Sequence, residues 1–78
     1  MTPTETELRD LVAELAELEP DEIGLQTPFP DAGVDSLLAM EIAVHVEARF
    51  GVRFEDADVR GAQTIAALAA LVGERVGG

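Results

Sequence analysis

Apolar residues recur at helical spacing in three stretches of the 78-residue chain. In the first, Leu8, Leu11, Val12, Leu15 and Leu18 fall on one face and predict a helix over Thr4–Leu18. Thr4 followed by Glu7 reads as a capping box. Pro20 ends the segment, because the residue before a proline is pushed out of the α region. Glu5, Glu7, Asp10, Glu14 and Glu17 lie largely off the stripe, as a solvated face.

The second stretch predicts a helix over Asp35–Phe50, with Asp35 as N-cap and Gly51 as a C′ residue. Its pattern has two faces. Ile42, Val46 and Phe50, joined by Ala39 and Ala43, share one arc and suit the core. Leu37, Met40 and Val44 project to the other side with Glu41, Glu47 and Ala48. An apolar stripe edged by carboxylates is a candidate contact surface. The alternative is that the preceding loop or a short helix covers part of it.

Between these helices, Asp21–Val34 is rich in breakers: Gly24, Pro28, Pro30 and Gly33. A connection this long packs by its own side chains. Ile23 and Phe29 are the expected anchors, and Asp21–Leu25 the expected helical turn. Beyond Gly51, Val52-Arg53-Phe54 reads as an extended connector and Glu55–Arg60 as a short third helix ending near Gly61. Thr64 caps a last helix, Ile65 to about Arg75, whose buried stripe is Ile65, Leu68, Ala69 and Val72. Gly77-Gly78 reads as a frayed tail. The expectation is an all-α chain: three longer helices, a short third one, and a long loop between helices 1 and 2.

Length and composition narrow the function. Residues 1–78 are expected to form a single domain, too small for an elaborate active site. With no cysteine, disulfides and thiolate metal sites are excluded. The acids are dispersed without calcium-loop spacing, so no metal site is expected. No apolar run approaches the roughly 20 residues that span a bilayer, and Met1–Glu7 lacks the character of a signal peptide. A cytoplasmic monomer is expected. Sixteen acidic residues against five arginines leave a net charge of −11. That field repels nucleic acid and anionic membranes. It serves solubility, or steers the chain towards basic partners.

The joint before the second helix is the chemically suggestive place. Ser36 stands in the first turn, where free amides and the macrodipole suit an attached phosphate; the plainer reading is that Asp35 and Ser36 only cap. As a nucleophile, Ser36 needs an adjacent base. The one histidine, His45, is nine residues later, about 13 Å along the same helix. Gly33-Val34-Asp35-Ser36-Leu37 is not a nucleophile elbow, and no glycine-rich phosphate loop exists. A self-contained enzyme is not expected. The serine is presented to another protein's active site.

These residues carry a resemblance. Gly33-x-Asp35-Ser36-Leu37, with Glu41, Phe50 and the Thr64-Ile65 helix start, resembles the acyl carrier protein family along nearly the whole chain. The resemblance implies a four-helix bundle with a short third helix. It implies 4′-phosphopantetheine, transferred from coenzyme A onto Ser36 by a phosphopantetheinyl transferase, its thiol holding acyl groups as thioesters. Asp35 would present the serine to the transferase and its magnesium. Leu37, Met40, Glu41, Val44 and Glu47 match the family's recognition helix, and Glu55, Asp56 and Asp58 extend the surface. Implied partners include an acyltransferase or acyl-activating ligase, a ketosynthase and tailoring enzymes.

The chain also departs from fatty-acid carriers. It has Leu38 where an acid commonly follows, Ala48 and Arg49 near the helix end, Ala32 before the glycine, and a Thr27-Pro28-Phe29-Pro30 approach. These features resemble a stand-alone carrier of polyketide-type metabolism. Peptidyl carriers commonly place a glycine where Val34 stands. Fatty-acid, aminoacyl and peptidyl carriers remain as alternatives, as does a helical interaction module without a prosthetic group.

Overall fold

The computed structural model describes residues 1–76, among which the chain forms four α-helices: α1, Pro3–Leu15; α2, Ser36–Phe50; α3, Asp56–Gly61; and α4, Ile65–Val76. Single 3-10 turns at Pro20–Glu22 and Phe29–Ala32 punctuate the long α1–α2 connection. No strand occurs among the described residues. The tail expected at Gly77-Gly78 lies outside them.

The ends of α1 correct the expectation at both sides. Its capping box is Thr2 with Glu5, not Thr4 with Glu7: the Thr2 hydroxyl accepts from the Glu5 amide at 3.1 Å and the Glu5 carboxylate from the Thr2 amide at 2.9 Å. Pro3 favours this earlier start, since at the first helical position its ring pre-sets φ and its missing N–H costs nothing. At the far end α1 stops at Leu15 rather than Leu18. The Leu18 amide donates back to the Ala13 carbonyl at 2.8 Å and the Glu17 amide to Glu14 at 3.2 Å. This is a Schellman closure, with Glu17 at φ 59° in place of the usual glycine.

The core sits where α1, α2 and α4 meet, with α1 against both other helices and α3 against α2. Leu8 and Val12 from α1, Ile42 and Val46 from α2, Ile65 from α4 and Ile23 from the loop are essentially fully buried. Each such side chain contributes roughly 1.5–3 kcal/mol on leaving water. Ile23 and Phe29 act as the expected loop anchors. Val34 is a third anchor, at 5% exposure. The expected turn at Asp21–Leu25 is displaced to Pro20–Glu22, because Pro20 favours the first position of a turn rather than simply breaking the chain. Ala69 and Phe50, expected in the core stripes, are only half-buried at its edge.

Two backbone hydrogen bonds strap the long loop across the bundle. The Phe29 amide donates to Gln63 at 2.7 Å, and the Ala66 amide donates to Leu25 at 3.0 Å. The loop is thereby tied to both sides of the α3–α4 junction. The end of α3 and the start of α2 come to share one rim of the molecule.

Candidate functional site

The site is built around the start of α2. The Phe29–Ala32 turn ends in Gly33 at φ 84°, a left-handed conformation. A Cβ there would meet nothing within 4 Å, so glycine is required by the dihedral and not by space. Val34 then drops into the core. Asp35, in extended conformation, turns back to cap: its Oδ1 accepts from the Leu38 amide at 2.8 Å, and its carbonyl accepts from the Ala39 amide at 2.9 Å. With Val34 and Asp35 both pinned, Ser36 is left facing solvent as the first helical residue.

The Ser36 hydroxyl makes no hydrogen bond among the described residues, and the second Asp35 oxygen likewise has no partner there. The amides of Ser36 and Leu37 precede the first intrahelical acceptor and stay free. The first turn of α2 holds no acid. A phosphate ester on the serine oxygen therefore fits: it meets free donors at the positive helix end. His45 lies well along the same helix, as expected from its number, and cannot reach the hydroxyl. Among the described residues, no cluster of three or more His, Asp or Glu side chains could hold a metal ion.

Ser36 stands on the wall of an open groove of ≈520 Å³ between α2 and α3. Phe29, Pro30, Val34, Ala39, Met40 and Val59 supply apolar wall; Asp35, Asp56, Arg60 and Gln63 supply polar groups. Beneath it, between Phe29, Ile42, Phe54, Leu68 and Leu71, only ≈10 Å³ is open, about the space of one water. The interior is filled, and the room beside Ser36 lies at the surface. Arg60, Gln63 and Val59 did not stand out in the sequence as site residues. The available signal was spacing: Arg60 follows Asp56 by four residues and so shares its face of α3.

The outward arc of α2 is where its pattern placed it. Leu37 is 71% exposed, Val44 59% and Met40 45%. With Glu41 and His45 they border a shallow depression of ≈250 Å³. Neither the loop nor α3 covers it. Glu47 departs from the expected set. It is half-buried, and its Oε2 accepts from the Phe54 amide at 2.7 Å, so it braces the connector instead of facing outward freely. Asp58 departs too: its Oδ1 pairs with Arg75 Nη2 at 2.9 Å and its Oδ2 accepts from the Glu55 amide at 2.9 Å. Asp56 and the Glu55 that precedes α3 as its N-cap remain exposed.

The chain is similar in sequence and in fold to known carrier proteins. The profile of the phosphopantetheine attachment site family matches residues 6–72. Over 67 residues the chain is 36% identical to an acyl carrier protein of Rhodococcus erythropolis, spanning 85% of this chain and 74% of that one. Over 42 residues it is 50% identical to a non-reducing polyketide synthase of Aspergillus niger, which is 54% of this chain and 2% of that protein. The fold matches the solution structure of an active-site mutant peptidyl carrier protein at a TM-score of 0.88, with 25% identity over 97% of this chain and 82% of the other.

Proposed function

This chain belongs to the phosphopantetheine attachment site family, whose members bear a covalent 4′-phosphopantetheine, and on that footing we propose that it is an acyl carrier modified on Ser36. One observation carries the assignment: Ser36 is the exposed first residue of α2, its hydroxyl unpartnered among the described residues and its surroundings donor-rich. When bound, the arm supplies a terminal thiol that holds acyl groups as thioesters.

The chain's own residues present and steer. Asp35 holds the helix start with one oxygen and offers the other to a phosphopantetheinyl transferase and its magnesium. Leu37, Met40, Glu41 and Val44 form the docking arc, with Asp56 on the groove wall beside it. Basic, partly apolar patches on an acyltransferase or acyl-activating ligase, a ketosynthase and tailoring enzymes match that arc. Weak, steered contacts favour rapid exchange between such partners, and tethering gives the cargo a high effective concentration at each. The chain is one carrier domain, monomeric and cytoplasmic, and without catalysis of its own, because Ser36 has no base within reach. No helix among the described residues is long and apolar enough to cross a membrane.

The pathway we favour is polyketide or related secondary metabolism. The departures at Leu38, Ala48 and Arg49 support it, as does the similarity to a polyketide synthase segment. The match to a peptidyl carrier structure favours an aminoacyl or peptidyl cargo as the second reading; Val34 in place of a glycine weighs against it.

The test is direct. The purified protein is incubated with coenzyme A, magnesium and a promiscuous transferase, then weighed intact. A gain of one phosphopantetheine that vanishes in Ser36→Ala is expected. No gain on a folded wild type sinks the assignment. Loading the product with an acyltransferase in parallel with an amino-acid-activating enzyme then separates the two cargo classes.

A further inference from the structure

The α2–α3 groove holds a charge that the proposed carrier role does not use. Arg60 is the one cation on its wall among the described residues. It forms no ion pair among them, although the chain has 16 acids for five arginines. Arg49 and Arg53 are likewise without an ion pair among the described residues but lie outside the groove, whereas Arg75 is paired with Asp58 and Arg9 lies beside Asp10. Arg60 instead shares the groove with Ser36, and the Gln63 side chain is anchored next to it by a 2.8 Å hydrogen bond from Nε2 to the Arg60 carbonyl.

A phosphodiester at Ser36 would add a negative charge to a wall that already carries Asp35 and Asp56, in a chain of net charge −11. Arg60 is the group placed to offset it. Guanidinium matches two phosphate oxygens with two parallel N–H donors, which a point charge does not. A carboxylate at the far end of an acyl cargo is the other anion that could reach Arg60, but only if the arm doubles back. The phosphodiester is bonded to the groove's own serine. The apolar wall of Phe29, Ala39 and Val59 continues beside it and suits the methyl-bearing near part of the arm.

We propose that Arg60 pairs with the phosphodiester on Ser36 and so rests the near half of the arm along α3. This rests on Ser36 carrying the arm. The arm's free state is then a docked one, and a partner enzyme draws it out by breaking one salt-sensitive pair. Arg60 is a positioning residue here. It takes no part in the transfer chemistry.

The experiment compares the unmodified protein, the arm-bearing protein with a free thiol, and the same protein loaded with an acetyl or a carboxyacyl group. Nuclear magnetic resonance follows the Arg60 Nε–H signal and the relaxation of the phosphorus. The signal is expected to move on attachment of the arm alone and to move equally with either cargo. The phosphorus should tumble with the protein, loosen severalfold in Arg60→Ala or at high salt, and be restored only in part in Arg60→Lys, which keeps the charge and loses the two-pronged match. An Arg60 signal unmoved by the arm overturns the proposal. So does one that moves only with the carboxyacyl cargo. The wild-type comparison decides even if a variant fails to fold. Failure of the mass gain at Ser36 overturns the carrier assignment and this inference together; a mass gain without the Arg60 response overturns this inference alone.

Discussion

The Glu47 carboxylate accepts a 2.7 Å hydrogen bond from the Phe54 amide, joining the last turn of α2 to the connector that leads into α3. Gly51, at φ 66°, reverses the chain between them. The bond therefore sets where Phe54 packs and where α3 begins. Glu47→Ala leaves a part-buried amide without its acceptor and is expected to cost about 1–2 kcal/mol, whereas Glu47→Gln keeps a neutral acceptor and loses less. Urea unfolding of the two variants checks this. Equal stability of Glu47→Ala and wild type would show the bond to be incidental.

Glu17 is the described non-glycine residue with positive φ, at 59°. A left-handed L-residue costs roughly 1–2 kcal/mol, and glycine removes that cost while adding some unfolded-state entropy. Glu17→Gly is expected to stabilise by about 0.5–1 kcal/mol. For a domain of this size that raises the melting temperature by a few degrees. A lowered melting temperature would mean the Glu17 side chain makes a compensating interaction.

Phe50 is half-buried while Ile42 is 2% exposed, although both lie on the same arc of α2. Ile42→Ala should therefore cost about 2–5 kcal/mol and Phe50→Ala only about 2, against the 3–5 of a fully buried phenylalanine. Denaturant titration of both gives the order. The reverse order would place Phe50 in the core after all.

Met40 and Glu41 stand on the exposed arc, outside the core cluster. Met40→Arg and Glu41→Lys are expected to leave the circular dichroism spectrum and melting temperature unchanged. Turnover by a cognate partner enzyme should fall about tenfold, equivalent to about 1.4 kcal/mol. Retained turnover in both variants would remove this arc from the docking surface.

Much of this protein is written locally. α2 was legible from end to end because its signals are short-range: a carboxylate N-cap at Asp35, an amphipathic period, and a glycine at Gly51 that accepts a positive φ. The helix start at Ser36 was legible for the same reason, since a cap and its free amides are local whatever the helix is packed against. The end of α1 was not. Leu18 continues the helical period, yet the chain turns at Glu17, and hydrogen bonds from Glu17 and Leu18 close the helix at a strained residue that no local rule selects. Nor did the helical wheel reveal that Glu47 turns from the outward arc to the Phe54 amide, because that acceptor's partner belongs to the next segment.

By itself, the order of residues determined four helices, the two-faced character of α2 and a serine offered at a helix start. What shares a groove with that serine was a tertiary matter. Residues 36 and 60 share a groove because the Phe29 amide is tied to Gln63 and the Leu25 carbonyl to Ala66. Those bonds bring the long loop, α2 and α3 to one rim, and a contact between positions so far apart in the chain leaves no periodic trace in the sequence.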